Sequence, residues 1–239
     1  MKILITGGSG KLGSSLKKIF PDALSPSRKE LDITNREKVF DYIESKKPDV
    51  VVHTAALTGI RQCEENKKLA WNTNVVGTEN LVDALKKFNN EAHFIYISTA
   101  CVFSGEGDPK VETDTPDPKN YYSLTKLAGE LVTKKYNNHL IVRTNFVEKT
   151  KWMYPKAFTD RYGTYLFSDG VAKGIKDVIE EGLTGVVHIC GDKRMSMYEL
   201  AKITTPGVGK ITLEKYNGPP VTVDMSLDTN IWKKYKISR

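Results

Sequence analysis

Short apolar runs alternate along the chain with longer stretches in which apolar residues recur at a helical period. The runs at 50–53 and 93–98 are almost continuously apolar, which is typical of parallel strands covered by helices on both faces. The pattern therefore predicts an α/β fold with a doubly wound parallel sheet of the Rossmann type. The predicted strands are 2–6, 23–25, 50–53, 93–98, 139–144 and 186–190, and the predicted helices are 11–20, 35–45, 67–88, 122–136, 169–181 and 196–203.

Polar residues mark the expected starts of two helices. Thr34 with Glu37, and Ser196 with Glu199, match the spacing of a capping box, in which two side chains satisfy the free amides of the first turn. We therefore expect the second and the last predicted helices to begin at these pairs.

The composition argues against several classes of protein. No apolar run approaches the roughly 20 residues that a membrane helix needs, and the start lacks the features of a signal peptide. Cys63, Cys101 and Cys190 show no metal or redox spacing, nor do the histidines, so we expect a cytoplasmic protein without a metal. The net charge of +7 comes largely from scattered lysine pairs without a nucleic-acid-binding motif, which indicates a solvated surface.

A glycine-rich turn follows the first predicted strand and opens the first helix. Gly7, Gly10 and Gly13 let the backbone approach a pyrophosphate, whose charge is stabilised by the amides at a helix N-terminus. Lys11 is followed by Leu12, where a nucleoside-triphosphatase loop would carry Ser or Thr. The turn therefore favours a dinucleotide.

The end of the second predicted strand bears on which dinucleotide binds. NAD-specific folds usually have an acidic residue there, whereas this chain has Ser25, Ser27 and Arg28. Hydroxyls and a guanidinium can bind a 2′-phosphate, which predicts NADP(H), although Arg28 as an ordinary surface arginine is the alternative. Asp32, followed by Ile33, is placed to meet the adenine ring.

Tyr122 and Lys126 lie four residues apart and so share one face of a predicted helix. A nearby positive charge favours the phenolate, so we expect Lys126 to bring the tyrosine pKa down from about 10 toward neutrality. Thr99 ends the preceding strand, where its hydroxyl can hold a substrate carbonyl opposite the tyrosine. These three residues predict proton-transfer chemistry at a carbonyl group.

The order of these features resembles the extended short-chain dehydrogenases. Within that superfamily, the stretches 98–103, 122–130 and 142–147 resemble the dTDP-4-dehydrorhamnose reductases, and 185–201 does so more loosely. The resemblance implies an NADPH-dependent oxidoreductase of carbohydrate biosynthesis that reduces a nucleotide-linked 4-keto-6-deoxysugar. It leaves a homodimer open.

The resemblance also implies roles for individual residues. Tyr122 would donate the proton, Thr99 would hold the developing alkoxide and Lys126 would also hold the nicotinamide ribose, while Asn74 would support the catalytic end. Phe146 stands where the family usually has tryptophan, and Ala100 where it usually has aspartate, so these expected substrate contacts are altered or lost. The residues expected at the cofactor are Gly7, Gly10, Lys11, Leu12, Gly13, Ser27, Arg28, Asp32, Ile33, Ala55, Ala56, Leu57, Asn74, Tyr122 and Lys126.

Two alternatives to the reductase stay open at this point. One is a nucleotide-sugar 4-epimerase, and the other is a non-catalytic NADP-binding regulatory subunit similar to the one that partners methionine adenosyltransferase. A 4,6-dehydratase is disfavoured, because Ala100 and Cys101 stand where that chemistry resembles families with an Asp-Glu pair.

Beyond Thr144 the periodic pattern weakens. We expect residues 1–145 to form the NADP-binding domain and 146–239 a small, shortened substrate lobe, interleaved with the main domain through 169–182. The aromatic residues of the short segment after Asn145 either contact a ligand or pack the lobe onto the main domain. They are Trp152, Tyr154, Phe158, Tyr162 and Tyr165.

The residues after the second strand predict a preference for NADPH over NADH. Losing a charged hydrogen bond to phosphate costs on the order of 1.5 to 3 kcal/mol, so Arg28→Ala should weaken NADPH binding roughly tenfold or more and leave NADH nearly unchanged. Titration of both cofactors by calorimetry measures this, and equal affinity of the unmodified protein for the two would contradict it.

Overall fold

The computed structural model describes residues 1–237 and confirms the α/β class. A five-stranded sheet has the order β1-β2-β3-β4-β9, and every neighbouring pair is parallel. The predicted strands other than 23–25 form this sheet, with ends within one or two residues of those expected. The strands are β1 Ile3–Thr6, β2 Val50–His53, β3 His93–Ile97, β4 His139–Thr144 and β9 Gly185–Ile189.

Helices cover both faces of the sheet. Ile3 and Ile5 of β1 belong to the core cluster with α1 and α7, whereas Leu4 belongs to the cluster with α2 and α5. Such alternation along a strand places successive side chains on opposite faces, and both faces are buried here. Along residues 1–237 no helix is both long and apolar enough to span a bilayer. The helices are α1 Lys11–Ile19, α2 Arg36–Lys46, α3 Ile60–Glu65, α4 Lys67–Trp71, α5 Gly77–Phe88, α6 Tyr121–Thr133, α7 Ser168–Glu180 and α8 Met197–Thr204.

The predicted strand at 23–25 is reduced to a single parallel bridge between Leu24 and Leu4. Leu24 donates its amide hydrogen to Ile3 and accepts one from Ile5, both at 2.8 Å. Pro26 follows closely and has no amide hydrogen, which limits further pairing. The bridge places this segment on one side of β1, and β2 pairs with β1 on the other side. The strand order therefore reverses at β1, which creates a topological switch point.

Two details of the predicted helices need correction. Thr34 does not form a capping box, because its hydroxyl donates to Asp32, and Asn35 caps α2 by accepting from the amide of Lys38. The helix predicted over 67–88 contains a π-helical segment, Asn72–Val76, between α4 and α5. The capping box of Ser196 and its partner three residues later is present as predicted.

The lobe after β4 contains short strands where the sequence pattern is weak and indicates mostly irregular chain. β10, β7 and β12 form one small sheet, β11 pairs with β6, and β5 pairs with β8. Strands of two or three residues are too short to show an alternating pattern, which is why the sequence does not reveal them. They are β5 Phe146–Val147, β6 Lys156–Phe158, β7 Tyr162–Gly163, β8 Leu166–Phe167, β10 Met195–Ser196, β11 Gly209–Ile211 and β12 Asp224–Met225.

A buried ion pair joins α6 to the sheet. Arg143 of β4 donates to both carboxylate oxygens of Glu130, at 3.0 and 2.8 Å, and the side chains are 3% and 1% exposed. Ser98, directly after β3, donates to the same carboxylate at 2.5 Å. One helix is thus fixed to the ends of two neighbouring strands.

Close packing of α6 predicts a stability effect at Gly129. A Cβ at this position would lie 2.1 Å from the Tyr96 hydroxyl and 3.0 Å from the Asn74 carbonyl oxygen. Gly129→Ala should therefore destabilise the protein by about 1–3 kcal/mol, although alanine is the better helix former.

The matched control is Gly207→Ala, where a Cβ would meet nothing within 4 Å. Its free energy of unfolding should stay within about 0.5 kcal/mol of the original value. Denaturant unfolding of the two variants gives the comparison, and equal stabilities would show that α6 can shift to accept the methyl group.

Candidate active site

Two adjoining cavities lie at the carboxyl ends of the strands, where ligands bind in open α/β sheets. Their volumes are about 510 and 450 Å³, and both are lined by Gly10, Thr54 and Ala56. The first extends past Gly10 to residues 25–28, directly after the Leu24 bridge, and the second extends to Phe146 and the lobe. Together they form one elongated site.

The glycine turn separates the cavities and depends on two of its glycines. Gly7 has a φ of +72°, and a Cβ there would lie 2.7 Å from backbone atoms of Ala55. A Cβ on Gly13 would lie 2.3 Å from the Gly7 carbonyl oxygen. Gly10 caps α1 without a side-chain hydrogen bond, so the first amides of the helix remain able to bind an anion.

The first cavity brings together most residues that the sequence assigned to the adenosine side of a dinucleotide. It also includes Lys17, Thr54 and Thr73, which the sequence analysis did not identify, and Glu30, whose carboxylate accepts from the Ser27 amide at 2.7 Å. The predicted residues that line it are Gly7, Gly10, Ser27, Arg28, Asp32, Ile33, Ala55 and Ala56.

The structure joins two residues to which the sequence gave separate roles. Arg28 donates to Asp32 at 3.3 Å, and the other oxygen of Asp32 accepts from the amide and hydroxyl of Thr34 at 3.0 and 2.7 Å. Burial raises the pKa of Asp32, but hydrogen bonds from Thr34 and then Arg28 outweigh it, and the net pKa is lowered. Arg28 is 74% exposed, so its guanidinium has a second face for a phosphate.

The second cavity contains the three residues expected to carry the chemistry. Thr99, Tyr122 and Lys126 line it together with Phe146. Asn120 caps α6 by accepting from the Ser123 amide at 2.9 Å, which fixes the start of the helix that carries the tyrosine and the lysine. The other predicted residues that line it are Gly10, Lys11, Leu12, Gly13 and Ala56.

Electrostatics at the tyrosine differ from the sequence-based expectation. Burial raises the pKa of Tyr122 and outweighs the hydrogen bond from the Thr99 hydroxyl, which lowers it. Burial also lowers the pKa of Lys126 to about 7, although Glu130 partly offsets this. The Lys126 nitrogen lies 3.9 Å from the centre of the Tyr96 ring. A lysine that is readily deprotonated cannot supply the full positive charge that the expected fall in the tyrosine pKa required.

Three residues predicted to lie in the site, Leu57, Asn74 and Ala100, lie outside both cavities. The Asn74 side chain accepts from the Leu57 amide at 2.7 Å and donates to the Leu57 carbonyl at 3.0 Å and to Thr125 at 2.9 Å. Asn74 therefore joins the loop after β2, through the Leu57 backbone, to α6, through the Thr125 hydroxyl. Ala100 is 1% exposed and belongs to the core beneath the site.

The lobe contributes residues that the sequence analysis did not assign to the site. Arg161, Met197 and Met225 line the second cavity, and so do Thr144 and Asn145 at the end of β4. Thr144 and Asn145 could have been identified from the sequence, because ligands bind at the carboxyl ends of parallel strands. Nothing in the local sequence marks Arg161, Met197 or Met225.

The aromatic residues of the lobe have different environments. Tyr165 is 1% exposed and lines the second cavity, as part of the core cluster there. Trp152 packs edge-on against Tyr154, and Phe158 packs edge-on against Tyr216. Of the five lobe aromatics, all within residues 1–237, Tyr165 alone lines either of the two cavities described above, and Tyr162 stacks under Arg194.

The chain is similar to proteins of nucleotide-sugar metabolism. A family model described as the RmlD substrate binding domain matches residues 1–210. A dTDP-4-dehydrorhamnose reductase of Aggregatibacter actinomycetemcomitans is 32% identical over 84% of this chain and 76% of the relative. The chain belongs to the RmlD family.

Further similarities extend over nearly the whole RmlD-family chain. The dTDP-4-dehydrorhamnose reductase of Escherichia coli strain K12 is 30% identical over 93% of this chain and 84% of that protein. The crystal structure of the Bacillus anthracis dTDP-4-dehydrorhamnose reductase in complex with NADP has a TM-score of 0.88 at 26% identity, with 97% of this chain and 92% of that chain covered.

The low pKa of Lys126 predicts proton uptake when this RmlD-family protein binds NADPH. With a pKa of about 7, the lysine is mostly unprotonated at pH 8 and mostly protonated at pH 6. A bound dinucleotide brings negative charge, which favours the ammonium form and raises this pKa. Binding should therefore take up close to one proton per site at pH 8 and much less at pH 6.

Calorimetry in buffers of different ionisation enthalpy measures this uptake. Lys126→Met should abolish the dependence on buffer, whereas buried His53, with its pKa lowered to about 3, stays neutral throughout. Equal uptake at both pH values, or uptake that survives Lys126→Met, would assign the proton to another group.

Proposed function

We propose that this RmlD-family protein is an NADPH-dependent reductase of a nucleotide-linked 4-keto-6-deoxysugar, as in dTDP-4-dehydrorhamnose reduction. The observation that carries the proposal is that Thr99, Tyr122 and Lys126 line the second cavity, which adjoins the first cavity at the glycine turn. Relatives named for this activity, one of them solved with NADP, support it.

The cofactor residues fall into two groups in this proposal. The α1 amides behind Gly10 would hold the pyrophosphate, and Ser27 and Arg28 the 2′-phosphate. Lys126 would bind the nicotinamide ribose, and Asp32 would lie at the adenine. When bound, the reduced cofactor supplies the hydride.

The protein's own residues manage the proton and the carbonyl oxygen. Because burial raises its pKa, the Tyr122 hydroxyl keeps its proton at neutral pH and can give it to an oxygen that becomes an alkoxide. Thr99 accepts from the Cys101 amide at 3.1 Å, which fixes the orientation of its hydroxyl toward Tyr122. We propose that Thr99 holds the carbonyl oxygen and that Phe146 contacts the sugar.

The lobe bears on the choice between enzyme and regulatory subunit. Arg161, Tyr165 and Met225 line the second cavity together with Tyr122, so the short lobe still reaches the catalytic residues. A cover of this kind excludes water and orients the ketone, which a binding subunit does not require. This supports the reductase over the regulator, and a 4-epimerase is the remaining catalytic alternative.

The same proposal includes the organisation and setting of the protein. We assign residues 1–145 to the NADP-binding domain and 146–239 to the substrate lobe, interleaved through 169–182, with the last two residues outside the described part. A homodimer is proposed on exposed apolar side chains of α4 and α6, among them Trp71 and Leu131. Neither nucleic acid nor membrane is a proposed partner, and the free cysteines are compatible with a cytoplasmic protein.

Reduction of a keto sugar should depend on the Tyr122 hydroxyl. NADPH is mixed with freshly made dTDP- or UDP-4-keto-6-deoxysugar, and loss of absorbance by the reduced nicotinamide is followed. Tyr122→Phe keeps the ring but removes the proton, so turnover should fall by roughly 10²- to 10⁴-fold while NADPH affinity changes little. Tight NADPH binding without turnover on any of these sugars, together with a stable protein complex in pull-downs, would favour the regulatory subunit.

A further inference from the structure

Arg161 carries a buried charge that is paired with no carboxylate among residues 1–237. It is 8% exposed, and its Nε donates to the Thr222 carbonyl at 2.8 Å. Its two terminal nitrogens face the sulfur atoms of Met197 and Met225, at 3.5 and 3.2 Å. Thioether sulfur is a weak acceptor without charge, so the hydrogen-bonding capacity of the guanidinium is largely unused.

Two other arginines, unlike Arg161, form ion pairs with carboxylates. Buried Arg143 pairs with Glu130, and Arg194 pairs with Asp224, both at 2.8 Å. Within residues 1–237, no carboxylate forms an ion pair with Arg161. A buried cation without a counter-ion is unfavourable unless an anion joins it, which makes this position costly for folding and useful for binding.

Three further polar atoms at the same cavity lack a hydrogen-bond partner among residues 1–237. They are the Thr144 hydroxyl, the Asn145 amide nitrogen and the Tyr165 hydroxyl, and all three are buried. Their residues line the second cavity together with Arg161. An amide hydrogen, a hydroxyl and a guanidinium are all donors to an oxyanion.

The guanidinium lies near the residues that handle the carbonyl. The Met225 sulfur that it contacts is 3.4 Å from the Cys101 sulfur, and the Cys101 amide donates to the Thr99 hydroxyl at 3.1 Å. Met225 and Cys101 thus connect the guanidinium to Thr99, and Arg161 and Thr99 line the same cavity. A ligand in this cavity can therefore present its carbonyl to Thr99 and another group to Arg161.

We propose that Arg161, with the Asn145 amide, forms a binding site for an oxyanion of the substrate. The oxyanion is either a phosphate of the nucleotide linked to the sugar or a carboxylate on the sugar itself. The inference rests on the proposed function only for placing the substrate in the second cavity. The two methionine sulfurs keep the guanidinium from being neutralised by the protein.

Binding of fragments to the NADP-loaded protein tests the site without turnover. The probes are dTDP, thymidine and glucuronate, titrated by calorimetry. Arg161→Gln should weaken a probe that carries the recognised oxyanion by roughly ten- to a hundredfold and leave thymidine unchanged. A loss for dTDP alone identifies the phosphate as the source, and a loss for glucuronate alone identifies a sugar carboxylate. Arg161→Lys should retain part of the affinity.

The control is Arg194→Gln, which removes a cation of the same lobe that lies outside both cavities. It should leave all three probes unchanged. Unaltered affinity for dTDP and glucuronate in Arg161→Gln would overturn the proposal, whereas failure of the keto-sugar assay with a positive fragment result would overturn only the proposed reaction.

Two further variants cover the case in which Arg161→Gln does not fold. Met225→Glu puts a carboxylate beside the guanidinium and should abolish the advantage of the anionic probe over thymidine. Met225→Leu removes the sulfur without adding charge and should preserve that advantage. Equal behaviour of these two variants would show that the charge of Arg161 does not face the ligand.

Discussion

The ion pair between Arg143 and Glu130, with Ser98 on the same carboxylate, is the constraint on which the site depends. It connects α6 to the ends of β3 and β4, from which Thr99 and Asn145 continue. Burying two charges is costly, and such a pair adds little net stability, but removing one partner leaves the other uncompensated. The pair therefore specifies one position for the helix more than it strengthens the fold, and that position decides where the tyrosine and the lysine lie.

The two halves of the site differ in how they are built. The dinucleotide half is made of loops that directly follow strands, so its backbone amides are fixed by the sheet. The other half joins strand ends to a lobe assembled from distant segments, and Lys126 and Arg161 are buried there. Burial favours the neutral forms of both Tyr122 and Lys126, whereas Arg161 is a buried cation without a paired carboxylate among residues 1–237.

The features that could be predicted from the sequence are those whose geometry is set by residues close together along the chain. The Gly7 turn and the pair on α6 depend on spacings along a single element, and the parallel sheet follows from nearly continuous apolar runs. Asp32 shows the limit, because its pairing with Arg28 depends on how a loop closes, which no spacing reveals. Arg161, directly before β7, and Met225, in β12, meet from positions 64 residues apart, and both strands are too short to show any pattern.

The small sheet of β10, β7 and β12 has a mechanical consequence. Its strands come from three separate parts of the chain. Between β7 and β10 in sequence, α7 packs against the main sheet and β9 forms part of it. Near the end of the chain, Tyr235 returns to bridge Gly191 beside β9. The polypeptide therefore crosses repeatedly between the lobe and the sheet, and a hinge would have to bend all of these crossings at once. The lobe therefore cannot be removed from the chain as one continuous segment, and transplanting it to another scaffold would require a junction at every crossing.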